Sequence, residues 1–193
     1  ALLDDAYYVW DPLLYGSYGL GDYQLISAGN GWKPNPGGTA NYNASVAYTK
    51  IQSGQAFFVH ATGAGGNVSF TEAAKISGNQ LTYRPTPQLA GSIADRQFLR
   101  ASLYAVNTAG TYIASGNVAA FDPEFTNGYD YNDNLKMTSS TENFSISLDD
   151  KLLGLEAREP VKETDTIFYS LKNLRRMSYQ LRFAPENLGG FNL

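Results

Sequence analysis

Apolar side chains recur at every second position through much of the second half of this sequence. In residues 99–106, for example, Leu99, Ala101 and Leu103 follow this spacing. A strand points successive side chains to opposite faces of a sheet, so a period of two is typical of a half-buried β-strand, whereas a helix gives a period near 3.6. Long runs with the helical period are nearly absent. The pattern therefore predicts an all-β chain.

Further alternating segments follow at a spacing of about ten residues. They are residues 144–148 and 151–157, joined as a hairpin by Asp149-Asp150, then residues 167–171 and 179–183. Short strands that are separated by regular turn signals are typical of antiparallel sandwiches. We therefore predict antiparallel β-sandwich lobes, jelly-roll-like, with long loops rich in Gly and Asn.

The first half of the chain is less regular. Residues 7–10 and 23–26 predict two short strands. Residues 56–60 (AFFVH) predict a buried strand, with residues 68–70 as its hairpin partner. Both segments are rich in the aromatic and β-branched residues that favour strands.

The composition changes between the two halves. Residues 84–95 contain two prolines and few bulky side chains, which is typical of a connection rather than a core element. We therefore predict an N-terminal β lobe at residues 1–83, a connector at residues 84–95 and a C-terminal β-sandwich lobe at residues 96–193.

Charge and cysteine content exclude several classes of function. The chain carries 14 Lys and Arg against 18 Asp and Glu, and its one basic cluster, Arg175-Arg176, lies beside a predicted turn. A nucleic-acid-binding face needs clustered positive charge, so we expect no nucleic-acid partner. The absence of Cys excludes disulfides and a thiol nucleophile. No apolar run approaches the about 20 residues of a membrane span, so we expect none.

Four segments, considered together, resemble a region found in large secreted proteins of the Bacteroidetes. They are YYVWDP at residues 7–12 with the glycine-rich GSYGLGDYQ that follows it at 16–24, IQSGQAFFV at 51–59, FDPEFTNGYDYNDNLKM at 121–137 and the tail YQLRFAPENLGGFNL at 179–193. Such proteins are cargo of the type IX secretion system, and the matching region lies upstream of their C-terminal sorting domain. The resemblance implies an extracellular or cell-surface location and a role in adhesion, surface layers, filaments or accessory binding.

The family pattern usually has one more strand segment before the Tyr-Trp-Asp part, and this sequence lacks it. Since the chain opens at Ala1 without a Met, we expect a mature fragment or an excised piece of a longer protein. The resemblance implies that the N-terminal lobe lacks its upstream strand. A sheet without one of its strands exposes unpaired backbone groups that a strand of another copy can fill.

An acidic segment is a candidate calcium site. Asp122, Asp130, Asn132 and Asp133 supply several oxygen donors within a short loop, and Ca²⁺ takes 6–8 oxygen ligands. The spacing is not that of an EF-hand. The alternative is a long connection whose Asp and Asn side chains bind their own backbone at turns. A bound calcium ion would stabilise the loop structurally, and we expect no other cofactor.

Aromatic side chains in glycine-rich loops are a candidate ligand-binding surface. Tyr15, Tyr18 and Trp32 are the best candidates, because sugar rings stack on exposed aromatic faces while nearby Asn, Asp and Gln donate and accept hydrogen bonds. The alternative is that these aromatic residues pack over the sheet edges.

The sequence offers few arrangements of residues that could catalyse a reaction. His60 is the only histidine, which excludes a site with several His ligands, and its place at the end of an apolar strand favours a structural residue at the sheet rim. The acidic pairs, among them Asp149-Asp150 and Glu156/Glu159, are interpreted as solvated groups on turns or strand ends. A glycosidase needs a facing pair with one raised pKa. We therefore expect no enzymatic activity.

A modification site is also a candidate. The triplet Asp165-Thr166-Ile167 resembles the Asp-Thr-aliphatic signal for O-glycosylation in Bacteroidetes, so Thr166 is a candidate glycosylation site. The alternative is an ordinary threonine on an exposed strand face.

Two functions remain open. The first is a non-catalytic structural or adhesive module of an extracellular bacterial surface protein, assembling into oligomers or filaments by strand sharing. Its partners would be other copies of the chain or neighbouring domains of the parent protein. The second is a carbohydrate-binding module of a secreted multi-domain enzyme, with glycans as partners.

Overall fold

The regular secondary structure of the described residues is almost entirely β-strand, as the alternation predicts. The computed structural model describes residues 3–14, 21–63, 67–77 and 96–189. These residues form two short 3-10 turns, Ala28–Asn30 and Glu72–Ala74, and two sheets. The strands are β1 (Ala6–Asp11), β2 (Asp22–Ser27), β3 (Pro34–Asn35), β4 (Gln97–Asn107), β5 (Gly110–Phe121), β6 (Asn134–Leu135), β7 (Asn143–Leu148), β8 (Lys151–Arg158), β9 (Tyr169–Lys172) and β10 (Ser178–Glu186).

The large sheet has seven strands in the order β10-β4-β5-β8-β7-β9, and β6 also pairs with β8. Strands β5 and β8 run parallel, with Val118 opposite Leu155 and Phe121 opposite Arg158. The large sheet is therefore mixed and not wholly antiparallel. A parallel pair needs a long crossover, and residues 122–150, which include β6 and β7, provide it. The jelly-roll-like sandwich stays a prediction.

The predicted hairpin between residues 144–148 and 151–157 is confirmed as β7 and β8. Its turn residues Asp149 and Asp150 both have positive φ, 45° and 63°. Two-residue hairpins favour such a turn because its twist matches that of the strands, and Asp tolerates the left-handed region better than most residues do.

The small sheet, β1-β2-β3, packs on one face of the large sheet. Tyr8 and Leu25 from the small sheet share a buried cluster with Phe98, Val118 and Leu155 from the large one. The residues 1–83 and 96–193 therefore contribute to one common core. The division into two lobes stays a prediction, and the predicted connector at residues 84–95 lies outside the described residues.

The opposite face of the small sheet is covered by irregular chain rather than by a strand. Val9 and Ile26 pack there against Phe57 and Val59. The predicted buried strand at residues 56–60 is wrong, since it contributes only an isolated bridge between Phe58 and Tyr8. Residues 68–70 are exposed and form no hairpin with it. The strand-like composition of AFFVH reflects its packing on the small sheet and not a continuous series of backbone hydrogen bonds to a neighbouring strand.

The large sheet curves strongly. Its two edge strands, β9 and β10, lie at opposite ends of the strand order. The rings of Tyr169 (β9) and Phe183 (β10) are nevertheless 5.8 Å apart. Tyr169 and Tyr179 both pack against the cluster that contains Leu103 and Phe144. The concave face of the sheet therefore encloses a second core, and its two edges approach each other.

Among the residues that the structure describes, no helix has the length and apolar character needed to cross a membrane.

Candidate functional site

Strand β10 is the edge of the large sheet. All nine of its residues pair with β4, from Ser178 opposite Val106 to Glu186 opposite Phe98. In the described part of the chain, no strand pairs with its other side. An edge strand of this length presents a row of backbone donors and acceptors that can template a further strand.

The side chains on the concave face of β10 are exposed where their neighbours on β4 are not. Leu181 is 43% exposed and Phe183 is 44% exposed. Their register partners Leu103 and Ala101 are fully buried. The difference arises because β4 has a strand on each side, whereas β10 has one on a single side. We call the unpaired side of β10, with Leu181 and Phe183, the open edge.

The short strand β9 borders the open edge across the concave face. Leu171 lies on the same face of the sheet as Phe144, its register partner, and is also exposed. The ring of Tyr169 contacts that of Phe183. The exposed apolar surface of β10 therefore continues towards β9, although each strand belongs to a different edge.

The turn between β9 and β10 is anchored by a buried carboxylate. The Oε1 atom of Glu142 accepts a hydrogen bond from the hydroxyl group of Tyr179 (2.7 Å) and one from the Nε group of Arg175. The Tyr179 oxygen in turn accepts a bond from the backbone N–H of Arg175 at 2.9 Å. Burial and the carboxylate of Glu142 raise the pKa of Tyr179. The first residues of β10 are thus held in place by a charged network.

The opposite face of β10 is polar. Its Arg182 guanidinium lies 4.0 Å from the centroid of the Tyr104 ring and donates to the Oε1 atom of Gln180 at 2.9 Å. Further along, the Arg100 guanidinium and the Lys33 ammonium bind Glu186. Although burial acts to raise it, these two cations hold the pKa of Glu186 below its usual range. The open edge therefore has one apolar and one polar face.

The acidic loop uses its carboxylates internally. Asp122 binds the Arg96 guanidinium at 3.0 Å, and Asp130 accepts the backbone N–H of Asn132 at 2.8 Å. Asp133 accepts the backbone N–H groups of Asp130 and Ala157, both at 2.8 Å. The structure brings no three His, Cys, Asp or Glu side chains of the described ranges together as metal ligands. These bonds favour the turn-forming alternative, and the calcium site at Asp122, Asp130, Asn132 and Asp133 stays a prediction.

Of the three aromatic candidates, the structure describes Trp32. Trp32 is half-buried and stacks on Tyr7 with ring centroids 6.4 Å apart. Tyr15 and Tyr18 lie outside the described residues.

More exposed aromatic rings occur elsewhere on the small sheet. Trp10 and Phe58 both contact Tyr23, with interplanar angles of 80° and 88°. The rings therefore meet edge to face and do not form the flat platform on which a sugar ring stacks. Binding of glycans by Tyr15, Tyr18 and Trp32 stays a prediction.

Asp149 and Asp150 are exposed, as interpreted from the sequence, but Glu156 is buried, contrary to that interpretation. Glu156 is buried because β8 pairs with β5, β6 and β7 and so lies inside the sheet, and burial raises its pKa. Its Oε1 atom lies 3.4 Å from the guanidinium of Arg158, which is two residues further along the same strand. In the sequence, Glu156 and Arg158 carry opposite charges and lie two residues apart, so a strand places both side chains on one face. This spacing was a signal that could have revealed the buried pair.

Two other candidates have clear surroundings. The Nδ1 atom of His60 lies 2.8 Å from the Oδ2 atom of Asp4, whose side chain is almost fully buried. Thr166 is exposed in the segment that leads into β9, although outside the strand itself. Its side chain is accessible, and its glycosylation stays a prediction.

Comparison with known proteins finds no match to a family model, to a curated protein or to a solved structure. The site is therefore interpreted from its geometry and from the sequence.

Proposed function

We propose that the chain is a non-catalytic structural module of an extracellular bacterial surface protein, and that it assembles by accepting a strand along the open edge. The observation that carries this proposal is the exposure of Leu181 and Phe183 on a nine-residue strand, one side of which pairs with no other strand among the described residues. The segment at residues 178–186 is therefore the functional surface.

Strand addition accounts for both properties of this edge. The incoming backbone satisfies the outward donors and acceptors of β10, and its apolar side chains cover Leu181 and Phe183. Full burial of a Leu or Phe side chain stabilises by about 1.5–3 kcal/mol, so completing the burial of these two half-exposed side chains contributes about 1 kcal/mol each.

The sequence predicts an accepting edge where the N-terminal lobe, at residues 1–83, lacks an upstream strand, and that expectation stays a prediction. The proposal keeps the mechanism of strand sharing and uses the described edge on β10, in the C-terminal half.

The surface location rests on the resemblance of the four segments described above to secreted Bacteroidetes proteins. A structural use of one buried acid supports the non-catalytic part of the proposal. Asp11 accepts bonds from the side chains of Gln24, Thr39 and Asn41. Such a carboxylate organises the loops around the small sheet.

Light scattering coupled to size-exclusion chromatography tests assembly through the open edge. The wild-type chain should show a concentration-dependent mass above that of one chain. Leu181→Lys places a charge on the apolar face of the edge strand, a device that opposes strand pairing, and should weaken association at least about tenfold.

Leu13→Lys is the matched control, because Leu13 is 52% exposed and lies in the turn after β1 and not on β10. This variant should associate as the wild type does. A wild-type monomer at all concentrations, or equal association of the two lysine variants, contradicts the proposal.

A further inference from the structure

We propose that the strand accepted by the open edge is the β10 strand of a second copy, paired antiparallel about a two-fold axis at Leu181. This inference rests on the proposed function and names the partner and the register. It predicts a closed dimer rather than a filament, since a two-fold contact uses the same surface on both copies and leaves none free.

The register follows from the faces of β10. With Leu181 on the axis, Leu181 lies opposite its own counterpart, and Tyr179 lies opposite Phe183 of the other copy. Side chains on one face of an antiparallel pair contact each other directly, and aromatic pairs are among the more favourable ones. The exposed apolar side chains of each copy therefore cover those of the other.

The polar face fits the same register. Gln180 of each copy lies opposite Arg182 of the other copy. Within one chain these two side chains are already hydrogen-bonded, at 2.9 Å. The pairing therefore brings a donor and an acceptor together and places no like charges directly opposite each other.

The neighbouring registers are less favourable. An axis at Arg182 would place two guanidinium groups directly opposite each other, and like charges in that position destabilise a sheet. An axis at Gln180 would place Phe183 opposite Met177, which lies in the turn before β10. The axis at Leu181 is the one of these three that keeps Phe183 within the strand pair.

Proline also agrees with this choice. An axis at Leu181 pairs residues 178–184 of the two copies, and Pro185 lies just beyond them. Proline has no N–H to donate to a ladder and is confined to positions where none is required. The paired segment is therefore the longest one around this axis within β10 that avoids proline.

Cysteine cross-linking tests the register, because the chain has no native Cys. In the full chain, Leu181→Cys should give a covalent dimer as the main product of mild oxidation, since opposed residues have Cα atoms about 4.5–5.5 Å apart, within reach of a disulfide. Leu13→Cys is the control of similar exposure and should remain largely uncross-linked.

Two cysteine positions that lie opposite each other across the axis make the test more specific. Gln180→Cys and Arg182→Cys should each cross-link poorly alone, because a residue one position from the axis is about 8 Å from its own counterpart. An equimolar mixture of these two variants should form the mixed dimer, identified by its mass.

The outcomes separate this inference from the proposed function. If Leu181→Lys abolishes association but Leu181→Cys cross-links no better than Leu13→Cys, the open edge mediates assembly with another strand and the inference is wrong. Masses that grow beyond two chains have the same meaning, since they indicate a head-to-tail contact. If Leu181→Lys has no effect, the proposed function itself fails.

Discussion

Asp133 is the buried carboxylate whose protonation has the clearest consequence. It joins the loop after β5 to β8 by accepting two backbone N–H groups, from Asp130 and Ala157. Burial raises its pKa to about 6, and the charges of Asp130 and Asp149 act in the same direction, against the two hydrogen bonds. The folded chain therefore binds a proton at this side chain more readily than the unfolded chain does.

The sign of the pH dependence follows. A carboxyl whose folded pKa is raised destabilises the fold while it is ionised, above about pH 6, and the cost disappears as it becomes protonated towards its ordinary value of 3.8. We predict that the free energy of unfolding rises by about 1–2 kcal/mol between about pH 7.5 and 5, measured by urea denaturation. Asp133→Asn should remove most of this rise.

Asp150→Asn is the control for this prediction. It makes the same chemical change at an exposed position in the β7–β8 turn, where Asn tolerates the positive φ of 63°. This variant should keep the wild-type pH dependence. A flat wild-type profile, or an Asp133→Asn profile as steep as that of the wild type, would be inconsistent with a raised pKa at Asp133.

The side chains of the open edge show which properties of single residues can be predicted from the sequence. The alternation in residues 179–183 predicts correctly that Leu181 and Phe183 share one face of a strand. Their exposure was not predictable, because it depends on whether another strand lies beside β10. The burial of Glu156 was missed for the converse reason, since strands that are distant in sequence cover it.

Strand β5 belongs to the large sheet and lies against β3 of the small sheet. The packing of the two sheets on each other depends on it. Gly116 lies where β3 crosses it, and a Cβ atom at this position would lie 2.7 Å from the Cβ atom of Pro36 and 3.0 Å from the carbonyl oxygen of Ala101. Neither neighbour is a flexible side chain, so there is no easy way to relieve the contact. The glycine therefore permits the close approach of the two sheets.

Gly116→Ala should lower the free energy of unfolding by about 1–3 kcal/mol, the usual cost of overpacking a core, as measured by urea denaturation at constant pH. Gly128→Ala is the control, since a Cβ atom there has no neighbour within 4 Å. Equal stability of Gly116→Ala and the wild type would show that the sheets are not in close contact at this point.

Local elements were predictable, and the central one was not. The β7–β8 hairpin carries its own signals, namely two alternating runs and an Asp-Asp turn. Strand β5 carries none, because from Ile113 to Phe121 it is buried on both faces and its sequence shows no alternation. Doubly covered strands lose the period of two, and the many Ala and Gly residues of β5 gave no other indication.

The molecule as a whole is defined by contacts between distant segments. The small sheet, from the first 35 residues, packs on strands that begin at residue 97. The parallel pairing of β5 and β8 and the curvature that brings β9 near β10 are also long-range. Periodicity predicts the strands themselves, but strand order depends on three-dimensional packing, and for that reason the open edge on β10 was not predictable from the sequence.

In the proposed dimer, the open edges of two copies would form a single continuous sheet. Each copy would keep its own two cores, since the contact uses only the unpaired side of β10. The chain carries a net charge of −4, yet Arg176 lies just before β10 and Arg182 lies on it. The register at Leu181 keeps Arg182 opposite Gln180 and not directly opposite its own counterpart, and so reduces the repulsion that basic residues on an edge strand otherwise provide.

Amide hydrogen exchange of β10, followed by mass spectrometry at about 1 µM and about 200 µM protein, tests strand pairing at this edge directly. Pairing between copies should slow exchange in residues 178–186 at the higher concentration. Exchange in the interior strand β4, which is paired on both sides, should be the same at both concentrations. Equal exchange of residues 178–186 at both concentrations, in a chain that dimerises over this range, would contradict assembly through the open edge.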